Sequence, residues 1–249
     1  MIDRYRTLRH LPRELSLEDE RAFDALYERM RAGSTSKRTW RGRLNALDLI
    51  LTEEIGKRFG GRSISVHDMA ASSAITSVDL YHRLGAVGPV QLRASDYYDA
   101  VFFVGSIVLD VEGRPMKRNL LSSLATFAHR LGLSSRASLF HPAARSLAEA
   151  DPNFQLAKES FFSPGPARYD VVRVMNALNL QNFSSDQIHA ALRAIMPTVN
   201  DGGLLVLGRC DDNDNHIQAT IFAKGGGKFS VLRHLASGYA LASSVVGAT

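Results

Sequence analysis

A chain of 249 residues with 45% hydrophobic and 22% charged side chains suits one large α/β domain, or a core domain with a helical extension, and can bury a sizeable core. Its one cysteine, Cys210, excludes an internal disulfide and any metal site built on several cysteines, and without a long apolar run or an N-terminal signal core the expectation is a cytoplasmic protein with no membrane partner. Much of the net charge of +5 sits near the N-terminus in "RYRTLRHLPR" and "SKRTWRGR", but no nucleic-acid module accompanies it, so a solvated basic surface is expected and a nucleic-acid partner is not.

In chain order, residues 1 to 15 show no period. Ser16 is placed to cap a helix through "LEDERAFDALYERMRAG": acids fill its first turn, Phe23, Leu26, Tyr27 and Met30 recur at helical spacing, and Gly33 follows its end. A second helix is predicted from about Trp40 to Phe59, with Leu44, Leu47, Ile50, Leu51 and Ile55 as its apolar stripe and Gly60-Gly61 as its stop. Residues 1–61 therefore read as a helical extension or lid.

From residue 62 short apolar strands alternate with helices. "SISVHDM" is a strand, "SVDLYHRLGAVG" a helix and turn, and "PVQLRAS" a second strand. "AVFFVGSIVLDVEGRPM" holds two β-rich runs with Glu112-Gly113 as turn signal, a local hairpin or excursion from the sheet. "NLLSSLATFAHRLG" is helical, "FQLAKESFF" a short strand with its exit loop, and "YDVVRVMNAL" a buried strand. "FSSDQIHAALRAIMPTVNDGG" is a helix whose Ser184 and Gln187 form a capping box before the stripe Ile188, Leu192, Ile195 and Met196. Gly202-Gly203 precede the strand "LLVLGR", and "HIQATIFAKGGGKFSVLRHL" folds as a hairpin across Gly225 to Gly227. Alternation of this kind predicts an α/β fold: a parallel sheet with helices on both faces and an antiparallel edge.

Taken in order, "SVHDMAASSAIT", "RASD", "AKESFFSP", "YDVVRVMNALN", "LRAIMPTVNDGGLLVLGR" and the closing hairpin resemble the class I S-adenosylmethionine-dependent methyltransferases. The most telling part is "YDVV", a helix and "NDGGLLVLGR", whose Gly202-Gly203 resembles that family's Pro-Gly-Gly turn. The resemblance implies a Rossmann-like, doubly wound seven-stranded sheet with an antiparallel C-terminal hairpin over residues 62–249. It also implies S-adenosyl-L-methionine as cofactor and a biosynthetic methyltransferase with a small-molecule substrate. In the family the first strand ends in an acid and a glycine-rich turn. Asp68 matches the acid, whereas Ala70, Ser72 and Ala74 fall where glycines usually lie. Such small residues still admit a ligand if they keep negative φ, because they take positive φ less cheaply than glycine does.

Carried over position by position, the resemblance assigns Asp96 to the ribose hydroxyls, with Asp99 as competitor and Tyr97 alongside. Ser160 would meet the adenine amine and Phe161 flank its ring, while Asp68 would accept from the methionine amine. Met175 would border the sulfonium, with Asn176 and Asn179 as the catalytic candidates that orient the acceptor. Trp40 and Tyr98 would line the substrate side, together with Arg41 and Phe102. Plainer readings stand beside these: Asp96 as a cap, Phe161 as core, Asn176 as a strand-exit turn and Trp40 as an anchor for the extension. Arg173 interrupts an apolar strand and needs a partner, either Asp68 on the neighbouring strand or a ligand carboxylate. His141 and His216 read as surface loop histidines, and "DDNDN" (Asp211 to Asn215) lacks the spacing of a calcium loop, so no metal is expected. Two further functions stay open: a cyclase that converts the same cofactor to azetidine-2-carboxylate and methylthioadenosine, and a non-catalytic methyltransferase-like binding protein. A homodimer is also open.

Overall fold

The computed structural model describes residues 20–27, 31–32, 35–36, 39–105, 107–115, 121–210 and 216–247. The N-terminal arm, the Ser16 cap, Met30, Gly33 and the Asp211 to Asn215 run lie outside the described residues.

A short helix, α1 (Glu20–Tyr27), and a two-residue pairing of β1 (Arg31–Ala32) with β2 (Thr35–Ser36) come first. Helix α2 (Asn45–Phe59) starts five residues later than the apolar stripe predicted, because Gly42 sits at φ +75°, where a right-handed helix cannot run. Leu47, Leu51, Ile55 and Phe59 of α2 are buried in the same core as the main sheet, so the expected boundary near residue 61 falls between elements that share one interior.

The α/β part then runs β3 (Ile64–Met69), α3 (Ile75–Leu84) and β4 (Val90–Asp96). An excursion follows, made of β5 (Ala100–Val104), β6 (Ile107–Leu109), α4 (Ser122–Arg130) and β7 (Ser135–Ser138). After α5 (Pro142–Ala150) and β8 (Phe154–Lys158) come β9 (Tyr169–Met175), α6 (Ser185–Ile195), β10 (Val199–Cys210), β11 (Ile217–Gly225), β12 (Lys228–Leu235) and α7 (Ala242–Val246). Strand order in the main sheet is β12-β11-β10-β9-β3-β4-β8, antiparallel only in the β10–β11 and β11–β12 pairs. This is a Rossmann-like, doubly wound seven-stranded sheet with a C-terminal antiparallel hairpin, as expected.

Helices cover both faces. On one, Leu51 and Ile55 of α2, Leu80 and Leu84 of α3 and Ala144 of α5 pack on Val66, Leu92, Phe154, Val171 and Val206. On the other, Ile188, Leu192 and Ile195 of α6 pack on Val172, Val174, Leu205 and Leu207. Each such aliphatic side chain contributes about 1.5–3 kcal/mol on full burial. The capping box is present: Gln187 N–H donates to Ser184 Oγ at 3.3 Å, and Ser184 N–H to Gln187 Oε1 at 2.9 Å.

Three local readings are corrected. The β5–β6 reversal comes at Gly105, and Glu112-Gly113 lie in a second turn closed by Gly113 N–H to the Asp110 carbonyl at 3.0 Å. Gly202-Gly203 lie inside β10 as a register shift, where a Cβ on Gly203 would stand 2.8 Å from the carbonyls of Asn200 and Asp170. Helix α5 and strand β7 fill a stretch the apolar pattern left unassigned.

The β8–β9 connection, residues 159–168, carries no helix. The sheet face beneath it is accordingly polar. His67 is buried there, bonded to Ser95 Oγ at 2.8 Å, with its ring 4.7 Å from that of Tyr169 and Glu159 at 3.7 Å. Burial pushes His67 down to about 4. Glu159 holds the helix-free connection in place by accepting from Arg93 Nε at 3.0 Å and Gly165 N–H at 2.5 Å.

Candidate functional site

Strand β3 lies in the middle of the sheet. The chain winds outward from it through β4 and β8, then crosses back to β9 on its other side. Connections from β3 and β9 thus leave in opposite directions, which is where open α/β sheets form a crevice beyond the strand ends. Four segments meet at this end: the 70–74 turn, Asp96 to Tyr98, Glu159 to Phe161, and Met175-Asn176.

The turn does not behave as its composition suggests. Ala70, Ser72 and Ala74 take φ of 54°, 59° and 61°, so the expectation of negative φ is overturned. Each left-handed residue with a β-carbon costs roughly 1–2 kcal/mol. Hydrogen bonds hold the strained path: Ala71 N–H reaches the Ser95 carbonyl at 2.9 Å, Ala74 N–H the Ala71 carbonyl at 2.8 Å, and Ser72 N–H the Asp96 Oδ2 at 2.8 Å. The backbone is that of a glycine turn, written in the smallest side chains that carry a Cβ. Ala70 and Ser72 are half-buried at the strand tip, while Ala74 is buried and opens α3.

Asp96 ends β4 and is buried, accepting from Ser72 N–H and, at 2.7 Å, from Tyr98 N–H. A carboxylate can accept about four hydrogen bonds, so holding the turn does not preclude accepting from a hydroxyl. The competitor Asp99 is taken up by Arg136 Nη2 at 2.5 Å within the excursion.

Asp68, the acid expected to face a ligand amine, is bonded within the protein. Its Oδ1 accepts from Arg173 Nε at 2.9 Å, and its Oδ2 from Arg173 Nη2 and Ser77 Oγ, both at 2.5 Å. Arg173 is wholly buried and also bonds Asp48 Oδ1 at 2.6 Å and the Thr76 carbonyl at 3.2 Å. The ion-paired alternative for Arg173 is the one realised. Two carboxylates around one guanidinium leave a buried excess of negative charge, and burial pushes Asp48 up to about 6. Through this cluster α2 is tied to β9, β3 and the start of α3.

The amides of the β9 exit are partly spent on the backbone. Asn176 sits at φ 62°, and its Oδ1 accepts from Cys210 N–H at 2.6 Å. That bond fixes which end of the amide is which and leaves Nδ2 as a donor. Asn179 is a turn residue: its Oδ1 accepts from Gln181 and Asn182 N–H, and its Nδ2 donates to the Asn176 carbonyl. Met175 is buried in the core on the α2 side. Ser160 Oγ accepts from Phe162 N–H at 3.2 Å, and Phe161 packs against Phe162 in a tilted pair and edge-on against Phe183, at 4.7 and 5.7 Å between ring centres.

The N-terminal segments reach the same end. Trp40 carries the Arg43 guanidinium 4.7 Å above its ring, and Arg43 Nη2 bonds the carbonyl of Cys210 at 3.0 Å, the residue whose N–H Asn176 accepts. Tyr97 is hydrogen-bonded to Glu112, and Tyr98 is exposed beside it. His141 is not a surface histidine. It is buried, caps α5 through Nδ1, donates its backbone N–H to the Ser73 carbonyl at 2.8 Å, and its Nε2 lies 3.4 Å from Asp24 Oδ1 with the ring edge-on to Phe23 of α1. Burial lowers its pKa. Its signal was present in the sequence, as a capping residue followed by proline at the first helical position. His216 is exposed, as expected.

No family model and no curated protein matches the chain. Among solved structures it is similar to a Methanococcus maripaludis protein assigned as an S-adenosyl-L-methionine-dependent methyltransferase, at 14% identity over 72% of this chain and 68% of that one, TM-score 0.36. It is also similar to the glycopeptide N-methyltransferase MtfA, at 14% identity over 67% and 55%, TM-score 0.36. A protein-L-isoaspartate O-methyltransferase aligns at 11% identity over 84% and 51%, TM-score 0.39. The matched part spans about half the length of the last two chains. Superpositions this loose carry no weight for activity; the fold stands on the strand order itself.

Proposed function

We propose that the chain is an S-adenosyl-L-methionine-dependent methyltransferase acting on a small molecule. The observation that carries this reading is the left-handed backbone at Ala70, Ser72 and Ala74, set beside Asp96 at the sheet's switch point. A plain strand-to-helix connection needs no such strain, and strain of this kind persists where close backbone approach to a ligand is worth its cost.

The residues fit an adenosyl group. Small side chains at Ala70 and Ser72 let the backbone come close, and Asp96 suits ribose hydroxyls. Ser160 and Phe161 would border the adenine side, with Tyr97 between, and Met175 the sulfur. When bound, the cofactor supplies an electrophilic methyl group. This chain's own task is then chiefly alignment, which can supply up to roughly 7–11 kcal/mol of the barrier. Asn176 Nδ2, oriented by the Cys210 N–H, would hold the acceptor, with Trp40 and Tyr98 closing its side. Asp68 would act indirectly, by fixing β3 to β9 through Arg173.

A second reading, a binding protein without turnover, is favoured by the commitment of Asp68 and Asn179 to the protein's own interior. Calorimetry with S-adenosylmethionine, followed by chromatography of the nucleoside product, separates the cases. S-adenosylhomocysteine supports transfer, methylthioadenosine supports the cyclase, and binding with no product supports the second reading. Absence of binding at millimolar ligand overturns the transferase and the cyclase and favours a non-catalytic protein that keeps the fold without this ligand.

A further inference from the structure

The strand-tip crevice treats the two halves of its proposed ligand differently. S-adenosylmethionine joins an adenosyl half to an amino-acid arm, and the arm is a zwitterion. Its ammonium needs acceptors and its carboxylate needs donors. At this end of the sheet the groups suited to the arm are bonded within the protein.

Among the acceptors, both oxygens of Asp68 are taken by Arg173 and Ser77. The carbonyls of Ala71, Ser73 and Ala74 accept from the N–H groups of Ala74, His141 and Ser77, at 2.8, 2.8 and 3.1 Å. At the β9 exit the Asn176 carbonyl accepts from Asn179 Nδ2 at 3.2 Å. The donors follow the same pattern. In the turn, the N–H groups of Ala71, Ser72 and Ala74 go to the Ser95 carbonyl, Asp96 and the Ala71 carbonyl. Arg43 is directed at the Cys210 carbonyl and the face of Trp40. Arg173 lies between Asp48 and Asp68, and turning it to a ligand carboxylate would strand two buried acids. The adenosyl half finds different surroundings. Asp96 is bonded by the neutral backbone donors of Ser72 and Tyr98, which leave its charge in place to favour hydroxyl donors. Ala70, Ser72, Ser160 and Phe161 are each half-buried around it, small on one side and aromatic on the other.

We propose that the crevice selects its ligand by the adenosyl half and is indifferent to the amino-acid arm, so that its ligand class is the 5′-thioadenosyl nucleosides, with or without that arm. This rests on the reading of the crevice as an adenosyl site. For a transferase it means that ribose and base, rather than the arm, set where the sulfur stands.

S-adenosylhomocysteine and methylthioadenosine are both neutral at sulfur and differ in the arm alone. Calorimetry on the full chain should give dissociation constants less than about fivefold apart. A larger preference for S-adenosylhomocysteine overturns the proposal, since a single hydrogen bond to a charged end of the arm is worth about tenfold or more. Asp96→Asn should weaken both nucleosides by the same factor, at least about tenfold, with an unchanged circular dichroism spectrum. Weakening of S-adenosylhomocysteine alone, or of neither, also overturns it. If that variant does not fold, the comparison on the wild-type chain decides. S-adenosylmethionine itself separates this inference from the reading beneath it. If the two nucleosides bind alike and S-adenosylmethionine does not bind, the selectivity stands and the methyltransferase reading falls. If all three bind and the arm is strongly preferred, that reading stands and this inference falls. If none binds, both fall.

Discussion

Ser72 donates its backbone N–H to Asp96 Oδ2 over 2.8 Å, joining the left-handed turn after β3 to the tip of β4. The bond crosses 24 residues of sequence and fastens one strained residue to one buried charge. The candidate site has its geometry only while both ends hold. Asp96→Ala removes the acceptor for two backbone donors, and bonds to a charged group are worth about 1.5–3 kcal/mol. Urea unfolding should show a loss of about 1–3 kcal/mol, and calorimetry should show at least a tenfold weaker S-adenosylmethionine complex. Unchanged ligand affinity would remove Asp96 from the site.

Glycine should improve the turn's stability. Replacing Ala70, Ser72 or Ala74 relieves a left-handed cost of roughly 1–2 kcal/mol and adds unfolded-chain entropy worth roughly 0.5–1 kcal/mol. A net gain of about 0.5–1 kcal/mol per site is expected, read as a higher urea midpoint. The same change in the right-handed helix α3 should lower it. A loss at all three turn positions would mean that they do not hold positive φ in solution.

Arg173 is the costliest charge to remove. Arg173→Met leaves Asp48 and Asp68 facing each other in the interior, both buried. Breaking a buried ion pair costs about 3–5 kcal/mol, enough to abolish most of a domain's margin. Adding Asp48→Asn to that variant should recover part of the loss by removing one stranded charge. Equal stability of the single and double variants would show that the two carboxylates do not share the guanidinium.

What could be read from the sequence follows from how local each signal is. The alternation of strands and helices, the Ser184–Gln187 box and the closing hairpin depend on neighbours a few residues apart, and all are present. The Asp68–Arg173 pair was foreseeable once the first and fourth strands were placed side by side. Asp48 was not, because it sits in an apolar helical stripe and its partner is 125 residues away. Strand β7 is short, polar and at a sheet edge, so alternation gave it no signature. The sign of φ at Ala70, Ser72 and Ala74 was hidden by residue type, and only their alternate spacing pointed to glycine positions. Asn176 and Asn179 drew attention by chemistry, but the strand exit uses the same amides for its own hydrogen bonds.

Acid should expose two opposing titrations. His67 is held neutral, down to about 4 from an ordinary 6.5, by burial. The unfolded chain binds that proton more readily, so this group's stabilisation is complete above pH 6.5 and is lost as pH falls toward 4. Asp48 is pushed the other way, from 3.8 up to about 6. The folded chain binds that proton more readily, so its stabilisation is present at low pH and is lost as pH rises from 3.8 through 6. Across the shared window the two act in opposite directions. His67→Gln can keep a bond to Ser95 while removing one titration. Relative to the wild chain, its stability should fall as pH rises from about 4 to about 6. Asp48→Asn should instead rise over the same interval. Urea unfolding across the window checks both, and curves parallel to the wild type would mean that neither group titrates there.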